Sequence, residues 1–103
     1  MTMEPNYYAD RIPAHLLAGL LAWANKEHPV GHFLTAVLEN DLMQAVGRAD
    51  DKSLAALRYI VQFVYNEMPS KCHGSKEKVR AWREEMNSER ESRDAIDDQK
   101  TLA

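Results

Sequence analysis

The chain has 103 residues, 45% of them hydrophobic and 28% charged, and a formal net charge of -3. That length suits one domain with a single core, and the apolar content excludes a wholly disordered chain. The slight acidity, with a pI near 5.8, removes the electrostatic footprint that general nucleic-acid binding needs.

Cys72 is the lone cysteine; it cannot close an internal disulfide and suits a reducing compartment. No run approaches the roughly 18 apolar residues of a membrane span, and MTMEPNYYAD lacks the basic and apolar regions of a signal peptide. A cytoplasmic protein without membrane association is expected.

Glycine and proline punctuate the chain at few places, and the segments between them carry helical rather than alternating periodicity. The predicted fold is all-α, a compact bundle of about four short helices over residues 12–86, preceded by an N-terminal arm (1–11) and followed by a polar helix end and flexible tail (87–103). In the arm, Tyr7 and Tyr8 are adjacent aromatics of the kind that lie over a groove or a partner. The first helix starts at Pro13, a residue suited to a first helical position, and runs to about Lys26 with Leu16, Leu17, Leu20, Leu21 and Ala24 inward.

His28-Pro29-Val30-Gly31 ends that helix, and a second covers about His32 to Gly47, with Gly47 as its exit residue. Asp50 or Asp51 caps a third helix, about Lys52 to Glu67. There Leu54, Leu57, Val61, Val64 and Met68 form the inner stripe, widened by Ile60 and Phe63. Beyond Pro69 and the loop PSKCHGS, Ser75 is a good N-cap for a fourth helix carrying Val79, Trp82 and Met86 on one side. The remainder, NSERESRDAIDDQKTLA, is nearly all polar, with Glu89 four residues before Arg93 for helical support.

The second helix raises the sharpest question. At about 100° per residue, Phe33, Leu34, Val37, Leu38, Leu42 and Ala45 share one broad arc, and Asp41 falls inside it with Asn40 and Gln44 at its border. A carboxylate facing a core must be paired or hydrogen-bonded. Either Asp41 accepts bonds from a neighbouring helix start or a buried Tyr or Trp donor, or the arc is unsealed and Asn40, Asp41, Gln44 and Arg48 line a binding site. Gln44 is placed to bridge Asp41 and Arg48, which lie about 10.5 Å apart along a continuous helix. Gly31 and His32, at the start of the same helix, offer free backbone N–H groups to an anion, a feature that every helix start shares.

Other constellations carry less. His28, His32, Cys72 and His73 lack the spacing of paired metal ligands, Cys72-His73 lacks the context of a catalytic dyad, and no phosphate-binding glycine loop is present. Neither a metal nor a cofactor is expected, nor is an enzyme. Trp23, Trp82 and the tyrosines read better as core than as a stacking platform.

The segments PVGHFLTAVLENDLMQAVGRAD and YNEMPSKCHGSKEKVRAW resemble a family of short helical accessory proteins of tailed phages and prophages, mostly without an assigned function. The likeness spans about Ile12 to Trp82, and its most characteristic parts are the P-x-G-x-F-L start, A-V-L-x-N-D-L and the N-E-x-P-S-x-C-x-G-S loop. His73 stands where similar sequences often have tryptophan. The resemblance implies a setting, the host bacterial cytoplasm, and a protein that binds a host component. Two functions follow as expectations: a binding module that engages a host protein, or a sponge for a small anionic, nucleotide-like ligand. A homodimer is also expected, with the third helix and its Ile60 and Phe63 as the seam.

Overall fold

The computed structural model describes the backbone of residues 5–102 and the side chains of residues 7–91, and every regular element among them is helical. In chain order these are α1 (Pro5–Ala9), α2 (Ala14–Ala24), α3 (His32–Leu38), α4 (Leu42–Arg48), α5 (Asp51–Glu67), a 3-10 turn (Ser70–Cys72) and α6 (Lys76–Leu102). The predicted all-α bundle is the fold observed, with α2, the α3–α4 pair, α5 and α6 as its main members. No described helix is long and apolar enough to cross a membrane.

Residues 32–48 depart from expectation, because they form two helices rather than one. Asn40 adopts the left-handed conformation (φ 61°), which asparagine tolerates better than most side chains. Its N–H donates to the Val37 carbonyl at 3.0 Å, and the Asp41 N–H reaches back to the Ala36 carbonyl at 2.9 Å. This paired closure is a Schellman motif, and it ends α3. Asp41 then starts α4 as its N-cap, with Oδ1 accepting the Gln44 backbone N–H at 3.2 Å. The two polar residues are therefore a stop and a start, not an intrusion into one helical face.

The same closure ends α2, where Lys26 takes the left-handed position (φ 59°) and the Glu27 N–H donates to the Ala22 carbonyl at 2.8 Å. Held there, the Lys26 ammonium lies 4.7 Å from the Trp82 ring centre and pairs with Glu85 (3.1 Å) and Glu89 (3.2 Å) on α6. Hydrogen bonds to these two carboxylates, Glu85 first, raise its pKa above the ordinary lysine value. Glu89 thus has a described partner in Lys26; its expected partner Arg93 lies outside the described side chains.

The core forms where α2, α5 and α6 meet the loop after α5. Leu16, Leu20 and Trp23 are buried from α2; Ala56, Ile60, Phe63 and Val64 from α5; Val79, Trp82 and Met86 from α6. Two indoles tie these parts together. Trp23 Nε1–H donates to the Cys72 carbonyl at 2.9 Å, and Trp82 Nε1–H donates to the Trp23 carbonyl at 2.7 Å. Both tryptophans are core residues, as expected, with Trp82 on the stripe predicted for its helix. Leu21, expected inward, is exposed, and Trp23 occupies the inner face instead.

The arm also packs inward. Tyr8 is buried with its ring edge-on to Phe63, centroids 5.0 Å apart, and Tyr7 Oη–H donates to Gln62 Oε1 at 3.3 Å. Asp50 caps α5 through Ser53, whose backbone N–H holds the carboxyl below its usual pKa. Ser75 caps α6 by accepting the Lys78 N–H at 3.1 Å. That helix continues past Met86, the last buried side chain among the described residues, through the polar segment to Leu102. The flexibility expected of the tail concerns side chains that from residue 92 onward lie outside the described residues.

Gly47 is not the exit residue of its helix. It lies within α4, which ends at Arg48, and nothing stands within 4 Å of the position a Cβ would take. Gly47→Ala is expected to stabilise the protein by about 0.5–1 kcal/mol, since alanine loses less backbone entropy in a helix. A rise in thermal midpoint checks this; a fall would show a hidden clash.

Candidate functional site

The expected inner stripe of α5 divides into two faces. Ser53, Ala56, Ile60, Phe63 and Val64 look into the core, whereas Leu54, Val61 and Tyr65 are exposed and Leu57 is half-buried between them. Steps of three and four residues place Leu54, Leu57, Val61 and Tyr65 along one side of the helix. Ile60 and Phe63, expected at a dimer seam, are buried inside the single chain and cannot serve there without unfolding it. The exposed stripe is the apolar side of α5 that the described chain leaves uncovered.

α4 adds to that stripe. Only Ala45 of its seven residues is buried, while Leu42, Met43 and Val46 are exposed, Met43 at 85%; on α5, Tyr65 is exposed at 81%. Leu42, Ala45, Leu57, Val61 and Tyr65 line a groove of about 460 Å³ between the two helices. The break at Asn40–Asp41 explains why this groove exists. A continuous helix would have carried Leu42 and Ala45 onward in the line of α3, whereas the Schellman turn redirects α4 and leaves its apolar side open.

The groove has a polar part, formed by Asn40, Asp41, Ser70, His73, Gly74 and Lys78. Gly74, at φ 117°, turns the loop so that its N–H donates to the Leu38 carbonyl at 2.7 Å, a conformation L side chains rarely adopt. Lys78 Nζ reaches the Ser70 carbonyl at 3.4 Å. His73 Nε2 is shut off from solvent without a hydrogen-bond partner. Burial lowers the His73 pKa, the Met68 backbone pulls it partly back up, and the Lys78 charge lowers it further.

Because the His73 pKa is depressed on folding, its contribution to stability is fully present above the unfolded value of about 6.5. It is lost as pH falls through the folded pKa, where the chain must bury an imidazolium. Wild type is thus expected to lose stability from pH 7 to pH 5 more steeply than His73→Phe. Parallel urea-denaturation series would contradict this if the two slopes coincided.

The residues singled out from sequence lie mostly on the other side of α4. His32, Asp41, Gln44 and Arg48 border a shallow polar concavity with Glu39 and Lys76. Gln44 does link Asp41 to Arg48, donating its backbone N–H to the first and accepting from Arg48 Nε through Oε1 at 3.2 Å. Asn40 borders the apolar groove instead, and Gly31 caps α3 exposed, outside both hollows. Asp41 satisfies its charge at a helix start, that of the helix it opens, so Asp41→Ala is expected to cost about 1 kcal/mol. An unchanged denaturation midpoint would show that the cap is unimportant.

Chemistry at Cys72 is suppressed in this fold. The thiol is fully buried, and burial pushes its pKa up to about 11, leaving it neutral near pH 7. Among the described residues no three His, Cys, Asp or Glu side chains converge as a metal site. Leu42, Met43, Val46, Leu54, Val61, Tyr65, His73 and Lys78 were not distinguished as a surface by sequence spacing. The available signal was an apolar stripe on α5 too wide for one packing contact. Comparisons with protein-family models, curated proteins and solved structures find no match for the chain.

Proposed function

We propose that this protein is a non-enzymatic binding module that docks a protein partner on the apolar face of α4 and α5. The observation that carries this reading is the exposure of Leu42, Val61 and Tyr65 along one groove, with Met43, Val46 and Leu54 also exposed on the two helices that form it. Scattered exposed apolar residues are ordinary, but a continuous patch marks an interaction site. The resemblance to phage accessory proteins supports a host protein as the partner, met in the host bacterial cytoplasm. Blocking a defence or metabolic factor by covering its surface is the action such a face suits.

The neutral, enclosed thiol supports a binding rather than a nucleophilic role. A small anion at His32, Gln44, Arg48 and Lys76 is the other reading, and the carboxylates of Glu39 and Asp41 in the same concavity oppose it. The homodimer is a competing use of the α4–α5 face, and light scattering separates it from a monomer of 11.8 kDa.

Affinity capture from bacterial lysate tests the proposal when wild type and Tyr65→Glu are run side by side. A stoichiometric partner retained by wild type and lost by the variant supports it. Absence of any partner, or equal retention by both proteins, overturns it.

A further inference from the structure

Beyond protein docking, the groove between α4 and α5 has the make-up of a small-molecule pocket. Its volume, about 460 Å³, lies in the range of ligand sites, and its walls pair an apolar body with a few polar groups. Val37, Leu57, Val61 and Val64 supply the body. The polar lining adds Lys78, whose Nζ has one long bond to a carbonyl, with Asn40, Asp41, Ser70 and His73.

Lys78 forms no ion pair among the described residues, and it is the only cation lining the groove there. The one carboxylate on the groove, Asp41, is engaged as the cap of α4, accepting the Gln44 backbone N–H, and forms no ion pair with Lys78. An occupant therefore gains most by carrying a single negative head with hydrogen-bond acceptors on an otherwise apolar body. We propose that the groove binds an amphiphilic monocarboxylate, with its carboxylate at Lys78 and its hydrocarbon body between α4 and α5.

The choice of a carboxylate rests on charge complementarity with Lys78. The choice of an apolar tail rests on the groove walls. Neither depends on Met43, Val46 or Leu54, which lie outside the groove lining and belong to the docking face.

Titration calorimetry on the full chain tests this with sodium decanoate, decanol and decylamine, each below its aggregation threshold. Decanoate is expected to bind saturably at one site and to shift the His73 imidazole signals in NMR spectra. Lys78→Met, a change at an exposed side chain, is expected to weaken decanoate about tenfold with the melting temperature unchanged, and decylamine is expected to bind at least tenfold more weakly than decanoate. Met43→Glu, aimed at the docking face, is expected to leave decanoate affinity unaltered. No saturable decanoate binding, or equal affinity in Lys78→Met and wild type, would overturn the proposal even if partner capture succeeded. Saturable, Lys78-dependent binding would uphold it even if capture failed.

Discussion

Trp23→Ala is expected to destabilise the protein by roughly 3–5 kcal/mol, the range for deleting a large aromatic from a core. Trp23 has 0% exposure, so its removal leaves a cavity at the junction of α2, α6 and the loop after α5. The loss is not confined to packing. Its indole N–H is the donor to the Cys72 carbonyl, which would be left without that bond in a buried setting. For a domain whose whole stability is on the order of 5–15 kcal/mol, a change of this size approaches global unfolding. Trp23→Phe keeps the ring volume in part and removes only the donor, so it should fall between wild type and Trp23→Ala. Denaturant midpoints in the order wild type, Trp23→Phe, Trp23→Ala are expected; a marginal effect of the alanine variant would show that the two indoles do not organise the core.

Val61→Glu is expected to have the opposite profile, with little effect on stability and a large one on binding. Val61 is 48% exposed on the outer side of α5, and substitutions at such positions usually stay within about 0.5 kcal/mol. Placed at the centre of an apolar docking face, however, a carboxylate must be desolvated without a partner. Binding should weaken at least tenfold, the equivalent of about 1.4 kcal/mol. A centre-of-patch residue is where such losses concentrate, and the effect should exceed that of a charge introduced at Leu21, also exposed but on α2. Equal effects of Val61→Glu and Leu21→Glu on partner affinity would point to a nonspecific response to added charge.

The fold was largely legible because helical periodicity, Pro13, Asp50, Pro69 and Ser75 all act locally. Each constrains its own few backbone positions, and the structure uses Asp50 and Ser75 as caps as expected. The break at Asn40–Asp41 was also locally encoded, since asparagine favours a left-handed exit and aspartate an N-cap. It was obscured because the apolar period runs through both α3 and α4 with almost no phase change. Periodicity reports which residues are apolar, not whether the backbone between them stays helical.

The groove was not legible for a different reason. Leu54, Ile60, Val61 and Val64 are alike in sequence terms, and only the placement of the neighbouring helices decides that Ile60 and Val64 are covered while Leu54 and Val61 are not. The polar cluster fared better: Gln44 does connect Asp41 and Arg48, because that contact spans a single short helix. Its expected role as the site required knowing the surroundings, which add the opposing carboxylate of Glu39.

The central claim is that the apolar face of α4 and α5 is the working surface, and methyl-resolved NMR reads it directly. With the captured partner added to labelled protein, the methyl signals of Leu42, Met43, Val46, Leu54 and Val61 are expected to shift or broaden together, while those of Leu16 and Leu20 in the core stay in place. Perturbations confined to residues around the polar concavity, such as Thr35 and Ala36, with the α4 and α5 methyls unmoved, would contradict it.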